Sequence, residues 1–244
     1  MIFDALILNA RLRQSLVAVR SLGRRSLRVA AVDTIRNAPA FSSRWCDRAF
    51  VFSVEDGTEA YLHALKQALA RTGARVLIPS HDGTIALLRR HRQRLEPTVN
   101  LALASESALS IAVNKERTLQ IARDLGIRIP RGALVTKVAD VRAAVEEIGL
   151  PAVAKPSESW VRRGDDGHWV GPQLVTTVEE ATRAVETVTA LGGIVLLQQF
   201  LTGRREAVSF LYAHGAFHVR FSKNSLCCIP RFVRGSRCMP GSLS

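Results

Sequence analysis

The sequence predicts an α/β protein whose strands lie parallel and are joined by helical crossovers. Short apolar runs alternate with longer amphipathic segments along the chain, which is the signature of that architecture. Glycines recur just beyond the amphipathic segments, at Gly23, Gly73, Gly126, Gly149 and Gly192, where a left-handed residue ends a helix. With 244 residues, 47% of them apolar, the chain is long enough for one large or two modest buried cores.

Residues 1–110 form one doubly wound unit. Strands are expected at Ala5–Leu8, Arg28–Val32, Arg48–Phe52, Arg75–Ile78 and Leu101–Ala104, with helices at Leu12–Leu22, Thr58–Arg71 and Gly83–Arg92. Ser80 and Asp82 lie where a strand hands over to a helix, so their oxygens can cap its free amides. A second unit spans 111–222. Asn114 is placed to cap a helix Lys115–Leu125, and Pro130 confirms its end. A strand Ala133–Thr136, a helix Val138–Ile148 and a strand Ala152–Lys155 follow, the last between two prolines. Residues 156–172 read as a polar loop holding Trp160 and Trp169. Thr177-Val178-Glu179-Glu180 is a capping box for a helix running to Leu191. Ile194–Gln198 is a strand, Thr202-Gly203 a turn, and Ala207–Ala213 and Ala216–Phe221 a hairpin joined through His214-Gly215. Residues 223–244 lack acids and periodicity, carry three of the four cysteines, and are expected to lie outside the native fold.

Composition excludes several classes. No uncharged apolar stretch approaches the roughly 20 residues of a membrane-spanning helix, and the start of the chain lacks the pattern of a secretory signal, so a cytoplasmic location is expected. Cys46 stands apart from Cys227, Cys228 and Cys238, a spacing that fits neither a disulfide framework nor a zinc site. The net charge of +13 is spread over both halves with no basic run longer than a pair, which points to a solvated arginine-rich surface rather than a nucleic-acid stripe. Ser80-His81-Asp82 cannot form a catalytic triad, because three adjacent residues cannot converge on one another. Cys46 reads as a half-buried, inert thiol.

The lysines are few among many arginines, and two of them stand where chemistry is plausible. Lys115 opens its helix, where the macrodipole disfavours a cation by roughly 0.3–1 kcal/mol and a bound anion would reverse the sign; a solvated lysine is the plain alternative. Lys155 ends the apolar strand Pro151-Ala152-Val153-Ala154-Lys155-Pro156. A buried ammonium needs an anion, supplied by a ligand phosphate or by a tertiary carboxylate. The segment Leu196-Leu197-Gln198-Gln199-Phe200-Leu201-Thr202-Gly203 leaves a strand end whose backbone amide and carbonyl groups can read a purine edge.

In this order and spacing, Asn114-Lys115, Gly126–Pro130, Pro151–Pro156 and Leu197–Gly203 resemble the ATP-grasp family, with the flavour of its carbamoyl-phosphate synthase large-chain and biotin carboxylase branches. Residues 1–110 resemble the Rossmann-like pre-ATP-grasp domain that precedes the fold in those enzymes. The resemblance implies ATP as the ligand and carbon–nitrogen ligase chemistry, in which a small carboxylate is activated as an acyl phosphate and attacked by an amine or similar nucleophile. It assigns Lys115 to phosphate contact and Lys155 to the α-phosphate and adenine side. The Gln199 carbonyl and Leu201 amide fall on the adenine edge, with Val153 and Phe200 as apolar walls. Gln198 stands where many members carry glutamate and Gln199 where others do, and Glu206 is the nearest candidate for a ribose-binding acid. The loop 156–172 matches the phosphate lid, with Ser157, Ser159, Gly164 and Gly167 in place of the usual glycine cluster.

The resemblance also implies magnesium. Its ligands in the family lie beyond the second central strand, where this sequence has no counterpart, so a truncated or frame-shifted member, inactive by itself, is expected. Two other readings stay open. One is a catalytically inactive nucleotide-binding or assembly domain, with homo-oligomers allowed. The other is a Rossmann dinucleotide module, although Leu8–Arg13 lacks the glycine fingerprint.

Overall fold

The structure, a computed structural model, describes residues 2–52, 57–163, 166–203 and 205–225. Its described residues divide into two compact units: those within 2–127, 156–171 and 190–193, and those within 128–155, 172–189 and 194–225.

In the first unit, β1 (Ala5–Ile7), α1 (Arg13–Gly23), β2 (Val29–Asp33), β3 (Arg48–Val51), α2 (Gly57–Thr72), β4 (Val76–Ile78), α3 (Asp82–Arg90), α4 (Arg92–Leu95) and β5 (Asn100–Leu101) follow in order. The five strands form a parallel sheet ordered β3-β2-β1-β4-β5. Alternate residues along each strand serve opposite faces. Leu6, Ala30 and Val32 join Leu62, Leu65 and Leu69 of α2 and Leu88 of α3 on one side. Ala5, Ile7, Val29 and Ala31 join Val19 of α1 on the other. Helices on both faces make the unit doubly wound, with the strand order reversing between β1 and β4. Two further helices, α5 (Glu106–Ala112) and α6 (Lys115–Asp124), complete the unit, and α5 is an element the sequence reading did not separate.

In the second unit, β6 (Gly132–Val135) leads through a 3-10 turn (Val138–Asp140) to α7 (Val141–Ile148) and then β7 (Ala152–Pro156). The chain next forms β8 (Trp160–Arg163) and β9 (Asp166–Trp169), an antiparallel pair that belongs to the first unit. It returns through β10 (Gln173–Val175), α8 (Val178–Thr189) and β11 (Val195–Gln199) to a sheet ordered β10-β7-β11-β6. Val141, Ala144, Val145 and Ile148 of α7 are buried, as are Ala181, Ala184, Val185 and Val188 of α8. This i, i+3, i+4, i+7 spacing gives each helix one apolar stripe. The capping box forms: the Glu180 amide donates to Thr177 Oγ1 at 3.2 Å, and the Thr176 amide donates to Glu180 Oε2 at 2.7 Å. A separate two-stranded sheet, β12 (Arg205–Ala213) and β13 (Ala216–Ser225), turns at His214 and Gly215, both with positive φ.

Four expectations need correction. Residues 156–172 are not a polar loop, because Trp160 pairs with Trp169 across β8 and β9. Gly23 is not a left-handed helix end. It closes α1 in close approach to Trp45, whose Cβ would lie 2.5 Å from a Cβ placed at residue 23, whereas Gly73, Gly126, Gly149 and Gly192 do take positive φ. The α3 amides are capped by neither Ser80 nor Asp82 but by His81, whose Nδ1 accepts from the Gly83 amide at 3.1 Å. Finally, β13 runs to Ser225 rather than Phe221. The rest of the expected tail, with Cys227, Cys228 and Cys238, lies outside the described residues, as does Gly164.

Candidate functional site

Strand alternation in the second unit places Val153 and Lys155 of β7 and Leu196 and Gln198 of β11 on one face of the sheet. Val153, Leu196 and Gln198 are buried and Lys155 is half-buried. Lys155 Nζ donates to Gln198 Oε1 at 2.6 Å, and burial holds the ammonium below the ordinary lysine pKa. Among the described residues no carboxylate forms an ion pair with it; its acceptor is the neutral amide. The anionic partner foreseen for this lysine is therefore not a carboxylate of the described chain.

Beyond Gln199 the strand runs out. The Gln199 amide donates to the Arg131 carbonyl at 2.9 Å, and the Phe200 amide donates to the Pro151 carbonyl at 3.3 Å. The next residue, Leu201, is 60% exposed. The sequence thus brings Val153, Lys155, Gln198, Gln199, Phe200 and Leu201 to one strand pair and its exit. Glu206 is placed elsewhere, exposed on β12 opposite Asn224 in the separate two-stranded sheet.

Lys115 belongs to the first unit, at the start of α6. Asn114 caps that helix as expected, its Oδ1 accepting from the Arg117 amide at 3.0 Å. Both lysine nitrogens are held by the segment before β8: the amide donates to the Ser157 carbonyl at 3.0 Å, and Nζ donates to Ser159 Oγ at 3.0 Å. Lys115 lines a cavity of about 680 Å³ with an apolar side of Ile85, Leu109 and Val113 and a further wall of Glu158 and Trp160. The Arg89–Glu106 ion pair borders it.

Sequence reasoning missed a polar cluster at the carboxyl ends of β1, β2 and β4. Asn9, held at φ 58, donates from Nδ2 to Thr84 Oγ1 at 2.9 Å and accepts from the Ser80 amide at 3.3 Å. Asp33, only 3% exposed, accepts from the Arg11 amide at 2.6 Å and from Arg11 Nε at 2.8 Å. Burial alone would raise its carboxyl pKa, but the Arg11 side chain and the amides of Arg11 and Thr34 outweigh burial and hold it below the ordinary aspartate value. An Asp at the end of the second strand and an Asn after the first are the only sequence signals that could have found this cluster. Cys46, where burial pushes the thiol up to about 11, stays protonated at neutral pH.

Among the described residues, no cluster of three His, Cys, Asp or Glu side chains has the geometry to hold a metal ion. No helix there is long and apolar enough to cross a membrane.

No protein-family model matches the chain. A D-alanine–D-alanine ligase of Ectopseudomonas mendocina (strain ymp) is 32% identical over 104 residues, which cover 43% of this chain and 31% of that protein. Among solved structures, an L-amino acid ligase from Bacillus licheniformis superposes with a TM-score of 0.61 at 21% identity, over 93% of this chain and 52% of its own. The biotin carboxylase domain of Hydrogenobacter thermophilus 2-oxoglutarate carboxylase, in complex with MgADP, ADP and bicarbonate, superposes with a TM-score of 0.60 at 19% identity, over 86% and 47%. A doubly wound parallel unit followed by a sheet of antiparallel pairs with α7 and α8 against it is the Rossmann-like domain and first part of an ATP-grasp fold. The relative and the solved structures belong to the ATP-grasp superfamily, and the chain shares their fold. It spans about a third of the curated relative and about half of these structures.

Proposed function

We propose that the chain binds ATP and forms the nucleotide-binding part of an ATP-dependent carbon–nitrogen ligase. Residues 1–110 are its pre-ATP-grasp domain and residues 111–222 its part of the grasp. The observation that carries this reading is Lys155: a half-buried ammonium that ends an apolar strand and has only a neutral acceptor, Gln198, among the described residues. A phosphate placed there would gain a desolvated, charge-assisted hydrogen bond. The resemblance also assigns Lys115, at a helix start where an anion is favoured, to phosphate contact. Val153 and Phe200 would flank the base, with the Gln199 carbonyl and Leu201 amide on its edge. Glu206, on a separate hairpin, has less support as a ribose ligand.

Bound ATP would supply the phosphoryl group that turns a small carboxylate into an acyl phosphate, open to attack by an amine. This chain's own residues would bind the nucleotide, orient its phosphates and shield the base. Among the described residues no group of three His, Cys, Asp or Glu side chains could hold magnesium. The names of the relatives, D-alanine–D-alanine ligase and L-amino acid ligase, favour amino acids as the substrates of the whole enzyme, for which a cytoplasmic location is part of the proposal. The rival dinucleotide reading is disfavoured by one observation: Asp33, where such a module would bind a ribose, is taken up by Arg11.

Titration of the purified chain with ATP, with and without magnesium, tests the proposal. Saturable ATP binding that is abolished in Lys155→Ala is expected. Wild-type affinity in that variant, or binding of NAD in preference to ATP, overturns the assignment. Binding without turnover would identify the nucleotide-binding part acting alone.

A further inference from the structure

Trp160 occupies space that two glycines leave open. A Cβ placed at Gly83, in the first turn of α3, would lie 2.7 Å from the indole Cη2. A Cβ at Gly167, on β9, would collide with the indole Nε1. Real Cβ atoms do not approach so closely, so both positions must lack a side chain while the ring is seated. Neither glycine takes a positive φ; backbone conformation does not call for them, and the indole does. The His81 ring, which caps α3, meets the indole edge-on at 5.5 Å and 84°. Trp160 is thereby pinned between the start of α3 and its own hairpin.

The residues directly before it hold Lys115. Ser157, which is buried, accepts from the Lys115 amide, and Ser159 accepts from its ammonium. The Val170 amide donates to the Ser159 carbonyl at 2.9 Å, so this short segment is tied on both sides.

We propose that Trp160 is a positioning residue for Lys115: seated against Gly83 and Gly167, the indole fixes segment 157–160 so that Ser157 and Ser159 aim the lysine into the cavity. The importance of this for binding rests on the phosphate-contacting reading of Lys115 above. The geometric part does not, and the experiment separates the two.

The full chain is labelled with 5-fluorotryptophan, its Trp160 resonance assigned through Trp160→Phe, and amide hydrogen exchange is followed at Lys115. Gly83→Ala is expected to shift the Trp160 resonance and Trp160→Ala to abolish it. Both should lose the exchange protection of the Lys115 amide and weaken ATP binding about tenfold, the scale of one hydrogen bond to a charged group. Trp160→Phe, which keeps an aromatic filler, is expected to recover most of both losses. Unchanged protection of the Lys115 amide in folded Trp160→Ala overturns the positioning role, whatever ATP does. Protection that falls while ATP affinity stays within twofold of wild type overturns its importance for binding. A wild-type chain that binds no ATP refutes the functional proposal and leaves the exchange result to decide the geometry. Should Gly83→Ala not fold, Trp160→Ala and Trp160→Phe carry the same comparison.

Discussion

Lys155 and Gln198 meet across β7 and β11 through a 2.6 Å hydrogen bond from ammonium to amide oxygen. The pairing is neutral on one side. A carboxylate in the place of the amide would satisfy the lysine's charge within the protein, whereas the amide satisfies one N–H and leaves the charge for something else. Burial accordingly disfavours the charged form of the lysine, which is why its pKa falls below 10.5. A lysine shifted in this direction binds fewer protons folded than unfolded, so its contribution to stability rises with pH between the lowered value and 10.5.

Replacing the amide tests that relationship. Gln198→Leu leaves the ammonium without its acceptor and is expected to destabilise the chain by about 1–3 kcal/mol, read as a lower thermal midpoint at neutral pH. Gln198→Glu restores an acceptor with charge, and lysine NMR titration should find the Lys155 pKa raised relative to wild type. A lysine that titrates identically in Gln198→Glu and wild type would show that the two side chains do not interact in solution.

Asp33 gives the pH dependence of the first unit. Its folded pKa lies below the ordinary 3.8 because the Arg11 side chain and the amides of Arg11 and Thr34 outweigh burial. The stabilisation is therefore complete above that ordinary value and lost as pH falls through the lower folded one. Asp33→Asn is expected to be less stable than wild type near neutrality, and the gap should close as the solution is acidified below about 3.8. Thermal midpoints measured from pH 7 to pH 2.5 check this, and a gap that stays constant with pH would contradict it.

The two uses of glycine separate cleanly. Gly23→Ala drives a Cβ to 2.5 Å from Trp45 Cβ, in a core with no flexible chain end to yield, and is expected to destabilise by about 1–3 kcal/mol. Gly126→Ala meets open space but must hold φ near 72, at a cost of roughly 1–2 kcal/mol. Asparagine, which tolerates that conformation, should recover part of the loss at 126 and none at 23. Thermal unfolding of the four variants decides it; equal behaviour of asparagine at both positions would refute the distinction.

Much of the fold was legible because its signals are local. The alternation of Leu6 and Leu8 against Ala5 and Ile7, the stripes of α7 and α8, the Asn114 cap and the His214-Gly215 turn all depend on residues a few positions apart. Close approach was not legible. Gly23 and Gly83 resemble ordinary helix-end glycines in sequence, and only Trp45 and Trp160, distant along the chain, reveal that each is there to admit a ring. The hairpin of β8 and β9 reads as a loop in sequence for the same reason, since the Trp160 ring is seated against Gly83 of α3, distant along the chain.

By itself the sequence determined the α/β class, the order of the elements and the strand that carries Lys155, since periodicity and helix-end chemistry are written in neighbouring residues. Only the tertiary structure decided which groups those residues meet: that Gln198, not a carboxylate, accepts from Lys155, that Arg11 occupies Asp33, and that Ser157 and Ser159 hold Lys115. Those partners lie between 22 and 44 positions apart, a separation over which chain composition carries no distance information and packing alone sets the geometry.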